Sequence, residues 1–322
     1  MKADYKGFAF ASRLSEDYQV KSKFASVEED RTIRPPMLKK PAQAKSPKPS
    51  AKFQAVPRTN SNGADLFQFI EPQHQASDIV LDTENFRLLS EVVEEFRRGD
   101  DLRRHGLSPR SKLLFCGPPG CGKTLCAEVI AYELHLPLFV ARLDGIITTY
   151  LGETASNLRQ LFEAAMNTPS VLFLDEFDAL ARTRTDNSEH NEIRRVVNSL
   201  LKMIEAYRGR GLLIAATNLQ SSIDDAAWRR FDEVLLFKPP TRHQIRKLLR
   251  VKTRNFRAEI DFEEFLEALE GMSFAEIERI CMSAIKREII NRKSTLSRYS
   301  FMAAMKDEKR RIAIRSNVQA PE

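Results

Sequence analysis

The segment GPPGCGKT, Gly117 to Thr124, constrains the fold most, because the apolar run KLLFC at 112–116 precedes it and the helical pattern LCAEVIAYEL follows it. Small residues at G-x4-G-K-T spacing let a chain turn tightly and present backbone N–H groups to an anion at a helix N-terminus. The last two residues then have set tasks. Lys123 reaches the β- and γ-oxygens of a nucleoside triphosphate, and Thr124 enters the shell of Mg2+. The nucleotide-binding residues read from this segment are Gly117, Pro118, Pro119, Gly120, Cys121, Gly122, Lys123, Thr124 and Leu125. Such a motif requires a strand, a loop and a helix in that order.

Further apolar runs continue the pattern: LPLFVA at 136–141, VLFL at 171–174, GLLIAA at 211–216 and EVLLF at 233–237, with amphipathic stretches between them. Strands that are apolar throughout and alternate with helices predict a parallel sheet covered on both faces. The expectation is a three-layer α/β domain of the P-loop NTPase kind with a five-stranded parallel sheet. Ahead of it, Phe86, Leu88, Leu89, Val92, Val93 and Phe96 recur at helical spacing, predicting a helix from Asp82 to Arg104 that ends near Gly106. After Pro239-Pro240 the strand signal stops, and helices are expected at 242–254, 262–270, 274–291 and 296–314, a small all-α lid. The domains are thus a tail over 1–63, a large domain over 64–240 and the lid over 241–322.

The charge sits in the tail. The whole chain holds 51 Lys and Arg against 44 Asp and Glu, whereas residues 1–63 alone hold 13 against 6, so the remainder is balanced. Overall balance does not imply a field that steers nucleic acid onto the folded part, while a local basic patch there and the basic tail keep that partner open. Residues 25–52 lack aromatic residues, and six prolines lie from Pro35 to Pro57 among lysines, the composition of an extended, semi-stiff linker. Residues 1–24 carry Tyr5, Phe8, Phe10, Tyr18 and Phe24 and read either as a docking peptide or as a disordered arm. Four cysteines without paired spacing argue against a disulfide framework or structural zinc. No run approaches the roughly 20 apolar residues of a membrane span. A cytoplasmic protein with no membrane partner is expected.

VLFL delivers Asp175 and Glu176 at the C-terminal end of its strand, the edge where open α/β sheets bind ligands. Asp175 reads as a magnesium ligand and Glu176 as the general base for an attacking water. LLIAAT leads to Asn218, an amide suited to orienting that water. Together these residues resemble the AAA+ ATPases, more narrowly the AAA branch proper, over about residues 78–312. The resemblance implies Mg-ATP bound by Lys123 and Asp175, water activation at Glu176 and a sensor at Asn218. In AATNLQSSIDDAAWRRFDEV it implies that Arg229 and Arg230 reach the ATP of a neighbouring subunit, where guanidinium charge suits phosphoryl transfer. The family separates its two arginines and here they are adjacent, which leaves the finger open between them, with Arg229 preferred. Trp228 reads as an interface or core anchor. GMSFAEIERI resembles the lid segment that lacks a second-sensor arginine, with Ala275 in that place.

Tyr150-Leu151-Gly152 resembles the pore loop of substrate-threading AAA hexamers, in which apolar side chains grip any passing polypeptide and glycine lets the loop move. Three function classes fit: an ATP-driven remodeller of protein substrates working as a homo-hexamer, a DNA-associated switch, and a nucleotide-gated scaffold. The pore motif favours the first. From Leu107 to Asp232 the sequence also resembles compact single-module bacterial AAA proteins, some paired with a separate subtilisin-like protease. Within the loop, Cys121 is read either as an inert small residue or as a thiol activated by the helix N-terminus.

Overall fold

The computed structural model describes residues 68–143, 151–178, 190–218 and 228–319, with backbone only at 151–154, 190–194 and 316–319. The tail over 1–63 and Tyr150 of the pore motif lie outside the described residues. Strands β1 (Gln68–Ile70), β2 (Lys112–Cys116), β3 (Leu138–Arg142), β4 (Val171–Asp175), β5 (Leu212–Thr217) and β6 (Glu233–Leu236) form one sheet in the order β1-β3-β4-β5-β2-β6. The five expected strands are all present and pair with one another in parallel. The sixth, β1, corrects the strand count: it runs antiparallel to β3, with Phe69 opposite Phe139. At three residues, and with Phe69 45% exposed, β1 carries no periodic signal and becomes a strand only through its partner.

Burial explains the parallel core. Every residue of β5 is buried, and β2 and β4 each have a single residue that is not. Helices α1 (Thr83–Arg97), α2 (Gly99–Arg104), α3 (Lys123–Glu133), α4 (Leu151–Asn167) and α5 (His190–Ala206) alternate with the strands, and α2 is a short, largely exposed extension of α1. Leu158, Leu161 and Phe162 of α4 and Leu200 and Ile204 of α5 pack with Leu114, Leu172 and Leu213 of the strands. Asp82 caps α1 by accepting from the Asn85 N–H at 2.8 Å. The helix expected to run to Arg104 breaks at Arg98, where Gly99 follows; glycine inside a helix costs about 1 kcal/mol relative to alanine. Leu151 and Gly152, expected in a loop, are the first residues of α4, and the first turn of a helix tolerates glycine because its N–H groups lack intrahelical partners anyway.

Beyond Pro240 lie α6 (Arg242–Thr253), a 3-10 turn (Phe262–Phe265), α7 (Leu266–Leu269), α8 (Phe274–Ile290) and α9 (Arg298–Gln319). The all-α expectation is amended by two short strands, β7 (Arg257–Ala258) and β8 (Thr295–Leu296), which pair in parallel. Two residues each are too few for a period-2 pattern. Reciprocal capping boxes start α6 (Thr241 with Gln244) and α8 (Ser273 with Glu276). Ile245, Leu249, Leu266, Ile277, Ile280 and Phe301 form a separate apolar cluster, joined by Val80 from the segment before α1. Among the described residues no helix is long and apolar enough to cross a membrane.

Candidate active site

Strand order positions the site. Because β5 lies between β2 and β4, with Cys116 beside Thr217 and Leu174 beside Ala215, the loops leaving these strands emerge side by side at their C-terminal ends. There they surround a cleft of about 350 Å3 lined by Pro119 to Leu125, Asp175, Glu176 and Asn218 on the phosphate side. Gly117 and Pro118 lie at the foot of the loop. A Cβ on Gly117 would lie 2.0 Å from the Phe237 carbonyl oxygen, so this close approach excludes any side chain. Gly120, at φ +77°, packs against the start of α8: a Cβ would lie 2.8 Å from Ser273 Oγ.

Lys123 is 7% exposed, and its Nζ donates to Gly117 O at 2.6 Å, Pro118 O at 3.0 Å and Asn218 Oδ1 at 2.8 Å. Burial pushes its pKa below the ordinary lysine value, and the neighbouring cysteines, Asp175 and Asp178 act in the opposite direction. An ammonium on the cleft floor, satisfied here by three neutral oxygens, suits the phosphate oxygens of a nucleotide. Thr124 and Asp175 both line the cleft and offer the hard oxygens that Mg2+ takes, one or two protein ligands being its habit beside phosphates. The residues present therefore fit Mg-ATP.

Glu176 sits at φ +56°, a left-handed conformation uncommon for a residue with a side chain. Its N–H donates to Asp175 Oδ1 at 2.9 Å, and its Oε1 lies 3.4 Å from Arg142 Nη2 at the end of the adjacent strand. The turn is pinned from both sides of the sheet. The Phe177 N–H donates to Ala216 O at 2.8 Å, and the Phe177 ring packs edge-on against Phe231. Asp178, 2% exposed, accepts from the Asn218 N–H at 3.2 Å and so fastens the loop after β4 to the loop after β5. Sequence reasoning passed over Asp178; its signal is the second aspartate of D-E-F-D, separated from the first pair by the buried Phe177.

The other half of the cleft is assembled from afar. Asp78, Ile79 and Val80 come from the segment before α1, Leu248 and Lys252 from α6, and Phe274, Ala275 and Glu278 from α8. The apolar members of this set, Ile79, Val80, Leu248, Phe274 and Ala275, suit a nucleoside base, with Asp78, Lys252 and Glu278 as polar groups among them. The Ala275 N–H donates to Gly120 O at 3.1 Å, so the helical part touches the phosphate loop directly. Arg229 is exposed, whereas Arg230 is half-buried with Nε 3.4 Å from Glu205 Oε2. Among the described residues the cleft wall contains neither arginine. Trp228 is half-buried and packs against the sheet cluster.

The idea of an activated thiol at Cys121 is corrected. Cys121 is 4% exposed, and burial raises its pKa above the ordinary thiol value despite the nearby Lys123 ammonium. Cys116 behaves alike, pushed up to about 11. In the intact protein near pH 7, maleimide should label Cys121 slowly, with the rate rising on unfolding; rapid labelling of this residue in folded protein would contradict the assignment.

Comparison with known proteins follows the same outline. The profile of the ATPase family associated with various cellular activities (AAA) matches residues 113–239. The AAA family ATPase y4kL of Sinorhizobium fredii is 53% identical over 283 residues, covering 88% of this chain and 85% of that protein. A proteasome-activating nucleotidase of Methanospirillum hungatei is 34% identical over 61% of this chain and 50% of its own length. An ATP-dependent zinc metalloprotease FtsH 3 of Sphaerobacter thermophilus is 32% identical over 64% of this chain and 44% of its own. The similarity to the last two is therefore confined to half of those proteins or less.

Proposed function

Because this chain belongs to the AAA family of ATPases, we propose that it works as a ring of six copies that couples ATP hydrolysis to pulling on a protein substrate. The hydrolysis in this reading is supported best by the convergence of Lys123, Asp175, Glu176 and Asn218 on one cleft from three neighbouring strands. Loop amides and Lys123 would hold the phosphates, and Thr124 and Asp175 would be the ligands of Mg2+. The bound metal would draw charge from the phosphoryl group. Glu176 takes the proton of the attacking water on its carboxylate, Asn218 orients that water, and Asp178 positions Asn218. Arg229, exposed and absent from its own cleft wall, serves the site of the next subunit; Arg230, turned toward Glu205, supports it. The functional units in this reading are a large domain over 64–240 and a lid over 241–322, acting in the cytoplasm.

The names of the relatives, a proteasome-activating nucleotidase and an ATP-dependent metalloprotease, support a protein substrate and a proteolytic context. In this chain the protease would be a separate partner, of the subtilisin-like kind that the sequence resemblance implies. Tyr150, Leu151 and Gly152 are assigned to gripping the substrate. Tyr150→Ala should keep most basal ATP turnover and lose ATP-driven processing of a captured protein, while Tyr150→Phe keeps both, because the ring supplies the grip. Full processing by Tyr150→Ala would reject the pulling reading in favour of a scaffold or a DNA-associated switch.

A further inference from the structure

From the last helix back to the phosphate loop runs a chain of contacts that the catalytic reading does not use. Gly120 O accepts from the Ala275 N–H, and the Gly120 backbone abuts Ser273, the N-cap of α8. The Ser273 N–H donates to Glu276 Oε2 at 2.8 Å, and the Glu276 N–H returns to Ser273 Oγ at 3.3 Å. Glu276 is 7% exposed, and its other oxygen, Oε1, accepts from Arg315 Nη2 at 3.1 Å. Arg315 lies near the end of α9, 39 residues further along the chain. Burial alone would raise the Glu276 pKa, yet the Ser273 hydrogen bonds and the Arg315 charge bring it below the ordinary carboxylate value, so the group is held ionised.

We infer that Arg315 and Glu276 are positioning residues: the C-terminal helix, through this ion pair, holds the first turn of α8 against Gly120 and thereby sets the phosphate loop for nucleotide. The inference rests on the assignment of Gly117 to Thr124 as that loop. A carboxylate with both oxygens engaged fixes the cap in one geometry, and the cap fixes the Ala275 N–H that Gly120 accepts. Loss of the guanidinium leaves a nearly buried charge with fewer partners, which loosens the cap before it unfolds the helix. A second ion pair supplies the control. Arg279 donates to Glu308 at 2.6 Å, also joining α8 to α9, and reaches the cap only through the long-range charge of Glu276, with no hydrogen bond to it.

The test uses the full chain, a fluorescent ATP analogue with Mg2+, and maleimide labelling of Cys121, the buried residue that follows Gly120. Arg315→Ala should weaken analogue binding by about threefold to tenfold and accelerate Cys121 labelling, with Arg315→Lys restoring much of both. Arg279→Ala should lower the melting temperature with affinity and labelling close to those of the unchanged protein. Glu276→Gln should reproduce the effect of Arg315→Ala, because an amide has only one acceptor oxygen for the cap and the guanidinium. Unchanged affinity and labelling in Arg315→Ala would overturn the inference, as would equal effects of Arg279→Ala, which would reduce the pair to helix docking. Lys123→Ala, measured alongside, tests the loop assignment separately: it should abolish binding, and retained binding there would remove the premise rather than the relay.

Discussion

Glu176→Gln is expected to bind ATP and to stop turning it over, with hydrolysis falling by about 10²- to 10⁴-fold. The substitution keeps the shape of the side chain and removes its ability to take a proton. The backbone explains why no neighbour should substitute for it. Glu176 is held at φ +56° between a strand end and the Phe177 anchor, which fixes where its carboxylate stands beside Asp175 in the cleft. Asp175, the adjacent acid, accepts from the Glu176 N–H and is engaged as a metal ligand in the proposed arrangement. Single-turnover hydrolysis and the nucleotide content of the purified variant measure the two halves of the prediction. Turnover at the unchanged rate would remove the general-base assignment, whatever the state of binding.

Arg229→Ala should lower turnover by a factor on the order of 10³, the size expected when an arginine finger is lost. Such a variant leaves its own cleft intact, since among the described residues the arginine is not in that cleft wall. Mixing Arg229→Ala with Lys123→Ala subunits should therefore restore part of the activity. A Lys123→Ala copy cannot hold ATP but donates its arginine to a neighbour whose phosphate loop is complete. Activity should also rise with protein concentration, because an incomplete site matures only on assembly. In mixed assemblies verified by mass, no recovery would show that the arginine acts within its own chain or not at all. Arg230→Ala, by contrast, should act through the Glu205 contact, with a smaller effect on turnover than Arg229→Ala.

What the sequence by itself determined were the features written in consecutive residues. The phosphate loop, the five apolar strands and the acids after VLFL are local strings, and a strand buried on both faces has to be apolar along its whole length. The helices beyond Pro240 were legible for the same reason, except that the stretch 262–270, expected as one helix, divides into a 3-10 turn and a four-residue helix. Other features depend on partners far away in the chain. β1 exists because β3 pairs with it, about 70 residues later, and its three residues carry no pattern of their own. Asp178 reads as one more acid until Asn218 is found to donate to it, 40 residues on. The thiol of Cys121 looks activated beside glycines and a helix start, and only its burial in the folded chain reverses that expectation. The relay from Arg315 to Gly120 likewise joins residues far apart in the chain. Periodicity and motif spacing record what a residue does with its near neighbours, whereas desolvation, strand pairing and ion pairs between distant elements come into being only when the chain closes on itself.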